Sequence, residues 1–378
     1  MTRRELLSLI PAAGFQGLRT ARASTPTFER FDCHVHLHEH CPPIIGGLEE
    51  TRWTALVVCL CGGVADEEYD MEALLNKTAK LHRESRGRLP WVAAFDARDW
   101  ESRDFAERNI AMLNRAFKQD ALGVKIWKNL GMAIKSKKSG EYLKPDNEAL
   151  MPIYAAIQKA DRTLMAHIAE PAGAFAPRPQ PPAGATAANG PGRGVPSYWT
   201  LYKRGNAPDN WWAYENHPGS PGKEELLLAR DRIMARNPRL RVVGVHIGSN
   251  EEDLGALAKR LDTYPNFNID VAARVNVFAR LEPSVAREFL IKYQDRIIYG
   301  SDSVVLDEKA GAEESWRIMN AAQEREWNFF SSRNNITFAG NARQPAREVP
   351  GLGLPENVLR KIFNQNPKRL FPGITKKS

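Results

Sequence analysis

The chain has 378 residues, 43% of them hydrophobic, and its 53 Lys and Arg against 45 Asp and Glu give a formal charge of +8. That composition excludes a disordered chain, and 27 Gly, 25 Pro and 26% charged residues exclude collagen-like, low-complexity and coiled-coil classes. The length leaves one large α/β barrel or two ordinary domains, and basic residues scattered rather than gathered in a stripe argue against nucleic acid as the partner.

Residues 1–23 read as an export signal. Thr2-Arg3-Arg4-Glu5-Leu6-Leu7 leads into a mostly apolar run to Leu18, and Ala21-Arg22-Ala23 precedes Ser24. The paired arginines resemble the twin-arginine (Tat) type, which carries folded and often cofactor-loaded proteins, so a periplasmic or secreted mature chain is expected. Pro11, Arg19 and Arg22 leave an amphipathic leader or a misassigned start open. Removing Met1–Ala23, with four Arg against one Glu, would leave 355 residues and a charge of +5. No later stretch reaches about 18 uninterrupted apolar residues, so stable membrane insertion is not expected. The four cysteines, Cys33, Cys41, Cys59 and Cys61, lack a C-x-x-C spacing and do not form a zinc-finger pattern. A Cys41–Cys61 bridge is one reading, and buried thiols on neighbouring strands are the blander one.

Eight short β-rich runs follow in order: Phe31–Leu37, Ala55–Cys61, Pro90–Asp96, Ala121–Trp127, Thr163–Ala169, Arg241–Ile247, Phe267–Ala273 and Arg296–Asp302. Helical periodicity separates them over Met71–Glu84, Phe105–Gln119, Asn147–Ala160, Lys223–Asn237, Glu251–Tyr264 and Ser284–Tyr293, with a last helix over Pro355–Phe371. Eight alternations predict a closed (β/α)8 TIM barrel, whose active site belongs at the carboxyl end of the strands. One connection is long: Pro171–Gly222 is rich in Pro, Gly and Ala, then carries Tyr198, Trp199, Tyr202, Trp211, Trp212 and Tyr214. Following the fifth strand, it reads as a lid or substrate wall, with Trp199 and Trp211 as candidate stacking residues for a sugar or aromatic ring or, equally, as anchors of the insertion on the barrel.

Polar residues end the strands. His34 and His36 alternate along the first and share a face, His167 ends the fifth, His246 the sixth and Asp302 the eighth. Unpaired buried groups of this kind cost several kcal/mol each. Five of them at one mouth therefore ask for a compensating ion, even though a lone core histidine on a carbonyl is the commoner arrangement. His38 and His40 lie beyond the first strand and read as loop residues.

The H-x-H of Phe31-Asp32-Cys33-His34-Val35-His36-Leu37, with His167, His246 and Asp302 at later strand ends, resembles the amidohydrolase superfamily. Arg241–Gly248, Lys292–Asp302 and Asn364–Phe371 are similar to its amidohydrolase-related branch, which includes aminocarboxymuconate semialdehyde and resorcylate decarboxylases. The resemblance covers Phe28 to Pro372. It implies one divalent ion, Zn²⁺ being expected, on His34, His36, His167 and Asp302, with His246 beside it as acid or base and Asp302 as a second proton acceptor. Lys125 ends the fourth strand, where two-metal members carry a carboxylated lysine bridging a second ion; a plain ammonium that holds a substrate carboxylate or pairs with a neighbouring acid is the favoured reading. Arg274, after the seventh strand, is a second candidate for the carboxylate or a structural ion pair. The implied reaction is hydrolysis of an ester, lactone or amide of a small molecule by metal-activated water, with non-oxidative decarboxylation of an aromatic or unsaturated acid as the alternative. A secreted binding protein that has lost turnover is a third. Branch members are often dimers, which makes a homodimer one option.

Overall fold

The computed structural model describes residues 27–37, 41–59, 70–176, 217–305, 311–338 and 346–375. Residues 1–23, predicted as an export signal, and His38, His40, Cys61, Trp199 and Trp211 lie outside the described residues, as does most of the Pro171–Gly222 insertion. No helix among the described residues is long and apolar enough to cross a membrane.

Nine strands form one sheet: β1 (Arg30–Leu37), β2 (Trp53–Val58), β3 (Trp91–Ala94), β4 (Ala121–Ile126), β5 (Thr163–Ala166), β6 (Val242–Gly244), β7 (Phe267–Asp270), β8 (Ile297–Ile298) and β9 (Ser303–Val305). They run in the order β8-β7-β6-β5-β4-β3-β2-β1-β9, and every pair is parallel. β8 and β9 are the two halves of one eighth repeat strand, broken at Gly300-Ser301-Asp302. The first half pairs with β7 and the second with β1. Between them the Cys33 N–H donates to Tyr299 O at 2.9 Å and the Asp302 N–H to His34 O at 2.8 Å, which closes the sheet into the expected TIM barrel.

The helices Met71–Glu84, Phe105–Lys118, Met151–Lys159, Lys223–Arg236, Leu254–Thr263 and Pro283–Lys292 stand where the periodicity predicts them. Met71–Glu84 shows why: Asp70 accepts the Ala73 N–H at 3.0 Å as N-cap, worth about 1 kcal/mol, and Met71, Leu75, Thr78, Ala79 and His82 line one buried face. Pro42–Thr51 and Ala312–Ser331 are helices that the periodicity does not predict. The first opens on Pro42-Pro43 and contains Gly46-Gly47, poor helix formers that are held by packing against the second. The last helix is in three pieces, Glu356–Arg360, a π turn Lys361–Gln365, and Asn366–Leu370. Pro367 has no N–H to continue the ladder, and Asn366 Nδ2 instead ties the piece to Gln294 O and Ile297 O at 2.6 and 2.8 Å.

The barrel interior is filled by Phe31, Cys33, Leu56, Val58, Val92, Leu122, Met165, Val243, Val245 and Ile298, and Leu370, Phe371 and Ile374 complete it at its amino end. Two β-bulges then re-aim the wall. Between the partner pairs Asp32–Ala55 and Val35–Val57, β1 advances three residues while β2 advances two. Phe31 and Cys33 thus face inward below the bulge, and His34 and His36 reach the mouth above it. β4 does the same against β3 between Trp91–Ala121 and Ala93–Val124, so that Leu122 and Lys125 both belong to the interior. The predicted sixth and seventh strands are shortened at their carboxyl ends because the chain leaves the sheet to build the site.

A candidate metal centre at the carboxyl end of the barrel

His34 Nε2 and His36 Nε2 lie 3.4 and 3.3 Å from Asp302 Oδ1. These three residues offer ligand atoms all within 4.8 Å of one another. Each imidazole is oriented through its other nitrogen. His36 Nδ1 is 2.9 Å from Val58 O, and a carbonyl only accepts, so Nδ1 carries the proton and Nε2 keeps its lone pair. His34 Nδ1 donates to Asp270 Oδ2 at 2.9 Å, which likewise leaves Nε2 as the electron-pair donor. Gly300 permits this closeness: a Cβ there would stand 2.8 Å from the His34 Cβ.

Asp270, at the end of β7, is the functional residue that the sequence reading missed. It is fully buried, and its Oδ1 accepts the His246 and Ala272 N–H groups at 2.7 and 3.2 Å while Oδ2 serves His34. Burial alone would raise its pKa, yet the hydrogen bond from His34, with His246 and Lys125 close by, outweighs it and holds the carboxyl below the usual range. The available signal was its position, a carboxylate closing a strand whose other residues are buried, at the same level as the histidines.

His246 sits on a left-handed turn rather than on a strand, with φ 56° and ψ 56°, followed by Ile247 at φ 57°. Such residues cost roughly 1–2 kcal/mol each. Its Nδ1 donates to Ala272 O at 2.8 Å, leaving Nε2 for the site. The ring stacks on His34 at 5.3 Å between centroids and meets His167 edge-on at 4.5 Å. Burial pushes the His246 pKa down to about 3. His167 is held well below the ordinary value by burial, then by His246, Lys128, Lys125 and Arg274, and His34 is lowered by burial and by Lys125. Burial thus keeps these three imidazoles neutral at pH 7. Burial would raise the Asp302 pKa, yet its interactions with His34, His36 and His246 hold the carboxyl below the usual range.

The structure places the other candidates less uniformly. His167 is buried at the mouth but outside the His34–His36–Asp302 cluster, beside His246. Lys125 is buried, 3% exposed, with its Nζ 3.2 Å from His34 Nε2. Arg274 forms an ion pair with Glu251 at 2.7 Å, the structural option for that residue, while its charge still bears on His246. A further buried pair, Lys128 with Glu170, stands at the same level. Cys33, Cys41 and Cys59 are buried, as the blander reading expects, and Cys41 Sγ faces Ala312 O at 3.9 Å.

The donor chemistry fits a divalent ion: two neutral imidazole lone pairs and one carboxylate oxygen converge, and the Lys125 ammonium already places positive charge on one of those lone pairs. A TIM barrel with such a cluster at its carboxyl mouth has the architecture of a metal-dependent enzyme. The family pattern described as Amidohydrolase matches residues 120–373, and the chain belongs to that family. No curated protein matches the chain. Among solved structures, it is similar to a dihydroxybenzoic acid decarboxylase from Polaromonas sp. JS666 with bound manganese and the inhibitor 2-nitroresorcinol, at 13% identity over 92% of this chain and 98% of that one, TM-score 0.50. It is also similar to 2,6-dihydroxybenzoate decarboxylase from Rhizobium, at 13% identity over 91% and 99% with TM-score 0.47. A third is 4-oxalomesaconate hydratase from Rhodopseudomonas palustris, at 10% over 91% and 95% with TM-score 0.42. At these identities the likeness is one of fold.

Proposed function

We propose that the protein is a metal-dependent, non-oxidative decarboxylase of a small aromatic or unsaturated carboxylic acid. The observation that carries this reading is the buried Lys125 ammonium, 3.2 Å from His34 Nε2 at the edge of the candidate ion site. A divalent ion beside it would present two adjacent positive centres, a fit for a substrate carboxylate. The Polaromonas decarboxylase, which shares the fold, supports the same choice. His34, His36 and Asp302 would hold the ion, with His167 as the further candidate, and the ion supplies a Lewis acid for an anionic oxygen. Lys125 would hold the substrate's charge, and His246 Nε2, unprotonated in the resting site, would take up a proton from solvent water and pass it to the substrate carbon as the bond to carbon dioxide breaks.

A specific observation favours hydrolysis as the second reading. His246 and Asp302 are both proton acceptors near neutral pH, the state needed to take a proton from water. The two are separated by incubating the metal-reconstituted protein with hydroxybenzoates and unsaturated acids on one side and esters, lactones and amides on the other. Release of carbon dioxide is expected; acid release from esters without carbon dioxide would replace the first reading by the second. Metal analysis of the purified protein decides between zinc and manganese. We further propose export through residues 1–23, supported by the Arg3-Arg4 pattern; retention of an Arg3→Lys, Arg4→Lys variant in the cytoplasm is the expected result, and unchanged fractionation would refute it.

A further inference from the structure

After β6 four consecutive residues, His246, Ile247, Gly248 and Ser249, stand at φ 56°, 57°, 58° and 55°. Three of them are not glycine and Ile247 is β-branched, so the turn persists only because its surroundings over-determine it. Asp270 holds its first N–H. Its third carbonyl, Gly248 O, accepts from two side chains, Arg230 Nη1 and Asn250 Nδ2, each at 2.6 Å.

Arg230 is the unusual member. It projects from the helix Lys223–Arg236, is 1% exposed, and lies over the Phe267 ring at 4.6 Å. Its Nε and Nη2 have no hydrogen-bond partner among the described residues, and the nearest carboxylate oxygen, Asp231 Oδ1, is 3.9 Å from Nε. The other oxygen of Asp231 is taken by Arg260 at 2.9 Å. A guanidinium buried so incompletely satisfied is a poor way to pack a helix, since an apolar side chain of similar size would avoid the desolvation. What an apolar side chain could not do is hold Gly248 O.

We infer that Arg230 is a positioning residue for His246: its hydrogen bond to Gly248 O fixes the left-handed turn, and the turn fixes the direction of the imidazole. The inference rests on the reading that His246 handles the substrate's proton, and it adds the element that sets the geometry of that transfer.

The test uses the full chain with ¹⁵N-labelled histidine. The buried Nδ1–H groups of His246, on Ala272 O, and of His36, on Val58 O, give two reporters in one molecule. In Arg230→Met the His246 N–H exchanges at least about 10-fold faster while the His36 N–H is unchanged, and kcat falls by about 10- to 100-fold with KM little altered. Arg230→Lys, which retains one donor, recovers most of both. If Arg230→Met does not fold, Asn250→Ala, which removes the other donor to the same carbonyl, is read identically with a smaller change. A His246 signal that stays put in a folded variant, or a His36 signal that moves equally, overturns the inference. If the two signals separate as expected but the wild type releases carbon dioxide from no acid, the positioning role stands and the decarboxylase reading falls.

Discussion

The ends of β1 and β6 bring histidines to one site by different backbone routes. On β1 the chain stays extended, is paired on both sides, and turns His34 and His36 inward by adding one residue at a bulge. On β6 the strand stops at Gly244, where a Cβ would stand 2.6 Å from the Phe267 ring, and the chain folds back in a strained left-handed turn. The first arrangement needs no left-handed backbone and suits groups that hold an ion in a fixed place. The second depends on Asp270, Asn250 and Arg230 and suits a group whose direction must be set against a substrate. Asp270 belongs to both, through His34 Nδ1 and the His246 N–H.

That contrast can be broken most severely on the β1 side. Asp302→Asn weakens the oxygen donor that faces both β1 imidazoles, and loss of bound metal together with a fall in turnover of about 10⁴-fold or more is expected, as removing an outer partner alone costs about 10–100-fold. Metal content by elemental analysis and turnover are measured together; full metal retention would separate Asp302 from the centre. His246→Ala comes next, with turnover reduced about 10²- to 10⁴-fold while one metal is retained. Loss of one of two bound ions in that variant would show a binuclear site and place His246 among the ligands. Asp270→Asn should lower both metal affinity and turnover by about 10–100-fold, since it loosens both strand ends. A fall in only one of the two, read by metal titration and kinetics, would show that the ends are not coupled through this carboxylate.

The smallest expected effect is acid sensitivity of the metal-free protein. The neutral imidazoles of His34, His167 and His246 bind fewer protons folded than unfolded, so stability falls as pH drops below about 6.5. For His246 that window extends down to about 3. Glu326, raised by burial, and Asp32 oppose it; for Asp32 burial raises the pKa from 3.8 to about 6, and the folded state is then the better proton binder between those values. The Asp32 shift is smaller than that of His246 alone, and two further imidazoles act with His246. The melting temperature should therefore fall between about pH 7 and about pH 4.5; a flat or rising profile would mean that the histidines are not buried neutral.

Much of this was legible in the sequence for a physical reason. A strand buried on both faces reads as an apolar run, so a histidine or aspartate at its end stands out, and His34, His36, Lys125, His167, His246 and Asp302 are all found at the mouth. Lys125 reached it by a bulge that no alternation pattern shows. His246 was read as the end of a strand, yet its left-handed backbone follows from tertiary hydrogen bonds rather than from residue preference. Asp270 lies inside the predicted seventh strand and carries no signal of its own in the sequence, because it acts by holding other side chains. Arg274 illustrates the converse: its place after β7 suggested a substrate contact, and only the fold reveals Glu251 beside it.

The break in the eighth strand has one more consequence. A circular wall must be joined somewhere, and here the joint lies between β1 and the segment Ile298–Val305, more than 260 residues apart along the chain. Bringing these ends together closes one of the long loops of the fold. His34 and His36 stand on one side of that joint and Asp302 on the other. The cluster is complete only where this joint is closed, so capture of an ion by these three residues would report a completed ring.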